Sequence, residues 1–307
     1  MSHTEVSPSP VGLDVGSRRF LHPGPLRWLR SLGWGALLFV LFGFVYGVLS
    51  FFTSPDHAPF GPVPRTLLTV AASIAAFGLY ALLTKGAEAR WPGELDLKPV
   101  VRELLIGIGL GVAMMAVVVG VLVVSGLYDI SGPRAASPWD MLSVAISSGF
   151  FEELMFRAIL LRLLLRAFGV WPALAVSAAF FGIAHLGNPN ASPTAAIAIA
   201  IEAGLMLASF YLLTGRLWIS IGVHGAWNFT QGWIFGARVS GIEIKESLFL
   251  SAPTAGAPDW LSGGAFGPEA SVPAMIVGTA VAVVVLYQAW KKGNFNAAPD
   301  APKIEAA

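Results

Sequence analysis

The sequence predicts an all-α, polytopic membrane protein, a bundle of about eight transmembrane helices with the N and C termini in the cytoplasm. Three observations support this fold class. Hydrophobic residues make up 55% of the 307 positions and charged residues only 12%, about half of the roughly 25% that is typical of soluble domains. Apolar runs long enough to cross ~30 Å of hydrocarbon recur along the chain. Basic residues are concentrated on one predicted side of the membrane.

The apolar runs divide the chain into consecutive segments. A cytoplasmic tail over residues 1–32 precedes the N-terminal transmembrane helices within 33–138, and core helices occupy 139–233. An external loop over 234–271, rich in Gly, Ala, Pro and Ser, is predicted to be a weakly structured connector. It leads to the last transmembrane helix, 272–290, and a cytoplasmic tail, 291–307. The predicted spans are 33–53, 65–84, 102–128, 139–161, 171–187, 194–214, 216–233 and 272–290.

The distribution of Lys and Arg supports this topology independently. With the N-terminus inside, Arg157 lies within a span, and the remainder of the 19 basic residues is cytoplasmic except for Arg65, Arg134, Arg238 and Lys245. This asymmetry is what the positive-inside rule requires. We therefore expect a multi-pass protein of the cell membrane, in bacteria the inner membrane, with the lipid bilayer as its surroundings.

Composition also excludes several function classes. The chain has no cysteine, so disulfides, thiolate nucleophiles and thiolate metal sites are excluded. Its net charge is +1, without the basic face that a nucleic-acid-binding protein normally shows. We therefore expect no nucleic-acid partner, and the chemistry must come from oxygen and nitrogen groups.

Three charged residues lie well inside one predicted span, 139–161, away from its ends. Each ionised side chain at the centre of a membrane helix costs roughly 2.5–3.5 kcal/mol, so Glu152, Glu153 and Arg157 together cost on the order of 7–10 kcal/mol. Residues four apart share a helix face, whereas neighbours point about 100° apart. Glu153 can therefore pair with Arg157, which leaves Glu152 directed elsewhere. The alternative is that all three form one buried ion network that packs helices.

Further polar residues lie in the later spans. His185 and His224 are inside apolar segments, and a single histidine there is commonly an interhelical hydrogen-bonding residue. Asn228 lies four residues after His224, so both can face the same point. Glu202 lies near the middle of its span, either as a neighbour that supports the site or as a protonated packing residue.

This inventory suits hydrolysis. A carboxylate with a nearby imidazole can accept a proton from water, and a histidine and asparagine pair can donate hydrogen bonds to a developing oxyanion. Together these groups provide for peptide-bond cleavage without a covalent intermediate and without a cofactor. Zinc is the alternative cofactor, because one glutamate and two histidines can also hold Zn²⁺ with one open position. Its ligands would be Glu152, His185 and His224.

At this point the sequence resembles the CAAX protease and bacteriocin-processing (CPBP, or Abi) family of intramembrane proteases. The family pattern is EExxxR, then FxxxH, then HxxxN. Here it reads Glu152-Glu153-Leu-Met-Phe-Arg157, Phe181-Gly-Ile-Ala-His185 and His224-Gly-Ala-Trp-Asn228. The motifs occur in the family's order on three separate predicted helices, and the resemblance covers about residues 139–233.

The resemblance implies a glutamate-dependent intramembrane peptidase of the CAAX-prenyl-protease kind. Glu152 with His185 would activate the water, and His224 with Asn228 would stabilise the oxyanion. Glu153 and Arg157 would hold the site together, and Phe181 belongs to the second motif. The substrate would be a peptide or membrane protein. The family was long described as metalloproteases, which keeps zinc dependence as the competing mechanism.

A non-catalytic role is the main alternative from another class. The family also includes members connected with bacteriocin self-immunity, so a membrane immunity or partner-binding protein could use the same polar cluster. A transporter would show repeated halves with interrupted helices, and the sequence has neither feature.

Overall fold

The computed structural model describes residues 13–54 and 57–296, so residues 1–12 and 297–307 of the two predicted cytoplasmic tails lie outside the described residues. The described part is predominantly helical. Its long helical elements are α1 (Arg27–Thr53), α2 (Pro62–Glu88), α3 (Val100–Val124), α4 (139–168), α5 (Val170–Ala184), α6 (Pro193–Thr214), α7 (218–234) and α8 (Val272–Lys291). Two short strands, β1 (Tyr128–Ser131) and β2 (Leu250–Pro253), pair antiparallel.

The prediction of a polytopic helical bundle is confirmed. Among the described residues, six helices are long and apolar enough to cross a membrane: α1, α2, α3, α5 with its terminal turn, α6 and α8. Their outward faces carry large apolar side chains such as Val40, Phe44 and Ile74, each about two-thirds exposed or more, as lipid-facing residues should be. The predicted number of eight spans and the cytoplasmic location of the termini stay predictions.

Helix α6 lies at the centre of the bundle. In its most apolar window 67% of the residues are buried against other protein elements, compared with 17% for α1 at the periphery. Both α5 and α8 pack against the first half of α6. A residue of α6 is therefore enclosed by protein on most sides, and Glu202, which lies on α6, is only 1% exposed.

Glycines allow α3 and α7 to approach closely. A Cβ atom on Gly111 would lie 2.5 Å from the carbonyl oxygen of Val223, and one on Gly222 would lie 2.7 Å from that of Leu104. Small residues at such positions permit backbone-to-backbone packing of membrane helices. This contact sets the position of α7 and therefore of His224.

Gly111→Leu should destabilise the bundle, because its side chain would displace α7. Overpacking of this kind typically costs about 1–3 kcal/mol, which can be read from thermal unfolding in detergent. Gly109→Leu is the matched control, since nothing lies within 4 Å of a Cβ atom on Gly109. Equal unfolding temperatures of the two variants would contradict this packing.

A buried polar cluster closes the end of the bundle that is predicted to be cytoplasmic. Arg162 donates hydrogen bonds to both carboxylate oxygens of Glu88, at 2.8 and 2.9 Å, and Arg90 donates to both oxygens of Glu94 at 2.8 Å. Burial alone would raise the pKa of Glu94, but Arg90 and Arg162 hold that pKa below its ordinary value. The basic residues on this side therefore include buried ones with structural partners.

The N-terminal segment is attached to the same end of the bundle. Arg166 is fully buried and donates to the carbonyl oxygens of Gly16 at 2.9 Å and Arg27 at 3.0 Å, and also to that of Leu21. Part of the predicted tail thus packs against α4 instead of extending into solvent.

The segment 234–271 has more structure than its composition indicates. It contains β2, a one-turn helix (Asp259–Ser262) and a 3₁₀ turn (Pro268–Ala270). Gly241 donates its N–H to the carbonyl oxygen of Phe266 at 2.7 Å and accepts a hydrogen bond from Asn190 at 3.1 Å. The expectation of a weakly structured connector was therefore wrong. Hydrogen bonds of the backbone order this segment, although its sequence has no apolar periodicity.

Candidate active site

Glu152, Glu153 and Arg157 lie in the part of α4 that is wound in wide π-type turns, over Ser148–Glu152 and Leu154–Leu161. Such turns are rare and are frequent at functional sites. The two neighbouring acids have different surroundings. The Glu153 side chain is fully buried, whereas that of Glu152 is 17% exposed. Helix α4 thus directs one acid into the protein and the other towards a cavity.

Glu153 connects α4 with α7. One of its carboxylate oxygens lies 3.1 Å from Nε of Arg157, and the other lies 2.9 Å from Nδ1 of His224. Arg157 is also fully buried, donates to the carbonyl oxygen of Ala203 on α6 at 3.2 Å and lies over the ring of Phe181. The cluster therefore ties four helices together around the second acid of the first motif.

Glu152 has fewer partners. Its Oε2 lies 3.9 Å from Nε2 of His224, and the hydroxyl of Tyr46 on α1 lies 3.4 Å from its Oε1. Among the described residues, Oε2 has no hydrogen-bond partner. Glu152 is thus directed away from the pair of Glu153 and Arg157, as the helical spacing predicted.

His185 and Asn228 approach the same region from α5 and α7. His185 follows the last α-helical residue of α5, and its Nδ1 lies 2.8 Å from the carbonyl oxygen of Phe181. Asn228 donates from its side-chain nitrogen to the hydroxyl of Ser148 at 2.9 Å. Because Nδ1 of His185 is occupied by the carbonyl oxygen of Phe181, Nε2 is the ring nitrogen of His185 that can face a ligand.

A cavity of about 330 Å³ brings Glu152, His185 and Asn228 together. Much of its wall is apolar and comes from α1, α4 and the segment 234–271; the apolar residues include Phe39, Val144, Met155, Phe156, Val239, Ile242 and Ile244. A ligand pocket of this kind has mainly apolar walls and a few placed polar groups. Residues of all three motifs thus line one open cavity, and Nε2 of His224 lies 3.9 Å from Glu152.

A second, smaller cavity of about 20 Å³ lies next to the first and contains Glu202 in its wall. His185, Asn228 and Ser240 line both cavities. Glu202 is 1% exposed, and its Oε2 has no hydrogen-bond partner within the described part of the chain. The structure therefore places Glu202 beside the motif residues but outside the wall of the cavity that contains Glu152.

Glu269 is a buried acid that none of the three motifs includes. It lies in the 3₁₀ turn before α8, lines the smaller cavity with Glu202 and accepts a hydrogen bond from the backbone N–H of Ser240. Burial raises the pKa of Glu269 to about 7, although the hydrogen bond from Ser240 acts in the opposite direction. Glu269 could not be singled out from the sequence, because it is one acid in a segment without apolar periodicity.

The shifted pKa of Glu269 predicts a pH-dependent stability. Between about pH 4.5 and 7 the folded protein keeps a proton that the unfolded chain releases. The free energy of unfolding should therefore fall as the pH rises through this range, by about 3 kcal/mol in total, and should level off above it. Glu269→Gln cannot ionise and should lose this part of the slope. Parallel pH profiles of unfolding for the two proteins in detergent would contradict the assignment.

The two histidines among the residues proposed as zinc ligands each keep Nε2 for a ligand, because Nδ1 is already held. Nδ1 of His224 is bonded to Glu153, Nδ1 of His185 is bonded to a carbonyl oxygen, and Nε2 of His224 lies 3.9 Å from Glu152. Among the described residues, no group of three or more histidine, aspartate and glutamate side chains converges closely enough to hold a metal ion. Histidines that bind a metal through Nε2 commonly hold Nδ1 in this way, so zinc stays the alternative cofactor prediction.

Comparison with protein families gives a match over the segment that contains the three motifs. Residues 134–230 match the family model described as Type II CAAX prenyl endopeptidase Rce1-like. These residues form an Rce1-like domain. The predicted resemblance to the CPBP family is confirmed by this match, which includes all three motifs. Comparison with the curated proteins and with the solved structures gave no match.

The Rce1-like domain comprises α4 to most of α7, so α1, α2, α3 and α8 lie outside the matched segment. Two residues near its motifs come from those other parts of the chain: Tyr46 on α1 and Glu269 before α8. The family match supports an intramembrane protease of this kind. Elements outside the domain thus contribute Tyr46 to the wall of the larger cavity and Glu269 to that of the smaller one.

Proposed function

We propose that the protein is an intramembrane endopeptidase in which Glu152 and His185 activate a water molecule. The observation that carries this proposal is the shared cavity, in which Glu152, His185 and Asn228 line one largely apolar space. A carboxylate in such a space can take a proton from water, and general-base catalysis typically contributes 10²–10⁴-fold to a rate. The description of the matched family points to a prenylated CAAX protein as the substrate class.

In the proposed reaction the water oxygen attacks the carbonyl carbon of the scissile peptide bond while Glu152 accepts the water proton. The tetrahedral intermediate then collapses, the C–N bond breaks, and the proton passes from Glu152 to the leaving amine. His185, whose Nδ1 is held by the carbonyl of Phe181, orients the water through Nε2. Both products leave without a covalent enzyme intermediate.

The oxyanion is assigned to His224 and Asn228. An imidazolium form of His224 can donate from Nε2 while Nδ1 stays bonded to Glu153. Asn228 donates one side-chain N–H to Ser148, and its second N–H is the donor that we assign to the oxyanion. Donors placed where negative charge develops lower the barrier most when they are held in advance, which is the role we assign to Glu153 and Arg157.

The function can be tested in whole membranes, before any substrate has been identified. New protein N-termini are compared in membranes of cells that express the native chain, Glu152→Gln or the control Glu243→Gln, at matched expression levels. Glu243 is exposed and lies in the segment 234–271. Termini that appear with the native chain and with Glu243→Gln, but not with Glu152→Gln, would support proteolysis. Identical profiles, with a cellular phenotype still rescued by Glu152→Gln, would indicate a binding or immunity role.

A further inference from the structure

Tyr46 brings a hydroxyl group to the site from outside the Rce1-like domain. It lies on α1, and its hydroxyl is 3.4 Å from Oε1 of Glu152. It also lines the cavity of about 330 Å³ that contains Glu152, His185 and Asn228. None of the three sequence motifs includes it, because it lies far from Glu152 along the chain.

The packing of Tyr46 fixes where its hydroxyl points. Its ring stacks on Phe151, the residue before Glu152, with ring centroids 5.3 Å apart and planes inclined by 13°. Stacked aromatic pairs of this kind contribute about 0.5–1.5 kcal/mol beyond the area that they bury. A phenylalanine would preserve this contact. The hydroxyl therefore has to be explained by a polar partner; it interacts with the side chains of Ser147 and Glu152, and Glu152 is the charged one of the two.

The two oxygens of Glu152 are not equivalent. Oε1 is the oxygen that faces Tyr46, whereas Oε2 has no hydrogen-bond partner among the described residues and lies 3.9 Å from Nε2 of His224. A carboxylate with one oxygen held has a defined orientation, and its second oxygen is left to accept a proton. The distance of 3.4 Å from the Tyr46 hydroxyl to Oε1 is longer than usual for an O–H···O hydrogen bond, but such contacts often tighten only when substrate binds.

We infer that Tyr46 is a positioning residue of the hydrolytic site: it donates a hydrogen bond to Oε1 of Glu152 and so directs Oε2 towards the attacking water. This inference rests on the proposed function. Tyr46 keeps its own proton throughout the cycle, and Glu152 performs the proton transfer. The first transmembrane helix is then part of the catalytic arrangement, in addition to forming a wall of the cavity.

The test is the kinetics of Tyr46→Phe in lipid vesicles, with a peptide that the native protein cleaves. Because a hydrogen bond to a charged group is stronger than one between neutral groups, we expect kcat to fall by about tenfold or more while KM changes less than about twofold. Tyr287→Phe is the matched control, since Tyr287 is 53% exposed on α8. A native kcat in Tyr46→Phe, or a change in KM alone, would overturn the inference.

A double variant separates positioning from general packing. If Tyr46 acts through Glu152, adding Tyr46→Phe to Glu152→Gln should leave the residual rate unchanged. A further fall of the residual rate would contradict this role. Both results differ from failure of the proposed function, in which native protein and Glu152→Gln would cleave the peptide equally slowly.

Discussion

Replacing Glu152 by glutamine should lower kcat/KM for peptide cleavage by about 10³-fold or more. Glutamine preserves the shape and the contact with Tyr46 but cannot accept a proton from water, and loss of a general base typically costs 10²–10⁴-fold. Purified protein in lipid vesicles should show the effect mainly in kcat, because the substrate still fits the unchanged cavity. The unfolding temperature should not fall, since Glu152 has no buried ion-pair partner as close as that of Glu153.

Glu243→Gln serves as the control in this assay, because it removes an exposed glutamate outside both cavities that contain the motif residues. A residual activity of Glu152→Gln above one tenth of the native value would contradict the assignment of Glu152 as the base. Loss of activity together with loss of folded protein would show that Glu152 has a structural role instead.

Arg157→Met should destabilise the protein by about 3–5 kcal/mol, the usual cost of removing one partner from a buried ion pair. Arg157 and Glu153 are both fully buried and 3.1 Å apart, so the carboxylate of Glu153 would keep only His224 as its partner. The methionine approximates the length of the arginine stem and limits the cavity term. Thermal unfolding in detergent, together with the yield of monodisperse protein, measures the effect.

The double variant Glu153→Gln with Arg157→Met distinguishes stability from function. Removing both charges eliminates the unpaired carboxylate, so most of the lost stability should return. Activity should stay low, because His224 would then bond through Nδ1 to a neutral amide. Recovery of both stability and activity would show that Glu153 and Arg157 act only in packing.

Six of the eight predicted spans coincide with helices of the described chain that are long and apolar enough to cross a membrane, but the ends of these helices differ from the prediction. Helix α1 begins at Arg27 rather than at residue 33, and α2 extends to Glu88 instead of ending at 84. An apolar window stops where charged residues begin, whereas a helix can continue through them into the membrane interface. Within α2, this continuation brings Glu88 to Arg162.

The motif residues were predictable because charged and polar side chains cost free energy inside an apolar membrane segment. Glu153 and Arg157 lie four apart and pair in the structure. The partner of Glu152 was harder to predict, since helical spacing cannot rank histidines on different helices. The family resemblance pairs Glu152 with His185, but the shortest distance that the structure gives from Glu152 to a histidine is to His224. The roles of the two histidines stay proposals.

Tyr46 and Glu269 could not be found in this way. A tyrosine in an apolar helix resembles an ordinary packing or interfacial residue, and its proximity to Glu152 depends on how α1 packs against α4. Glu269 reaches the site only through the backbone hydrogen bonds that order the segment 234–271. Contacts between elements far apart in sequence have no local pattern, so these two residues required the structure.

We propose that a carboxylate, and not a metal ion, activates the water. The most direct test measures peptide turnover and bound zinc in the same sample, purified without metal-affinity steps and dialysed against a chelator. We predict full turnover at far less than one zinc per chain, with turnover abolished in Glu152→Gln. Turnover that rises in proportion to added zinc, with one zinc per chain that is lost on replacing His185 or His224, would contradict the account.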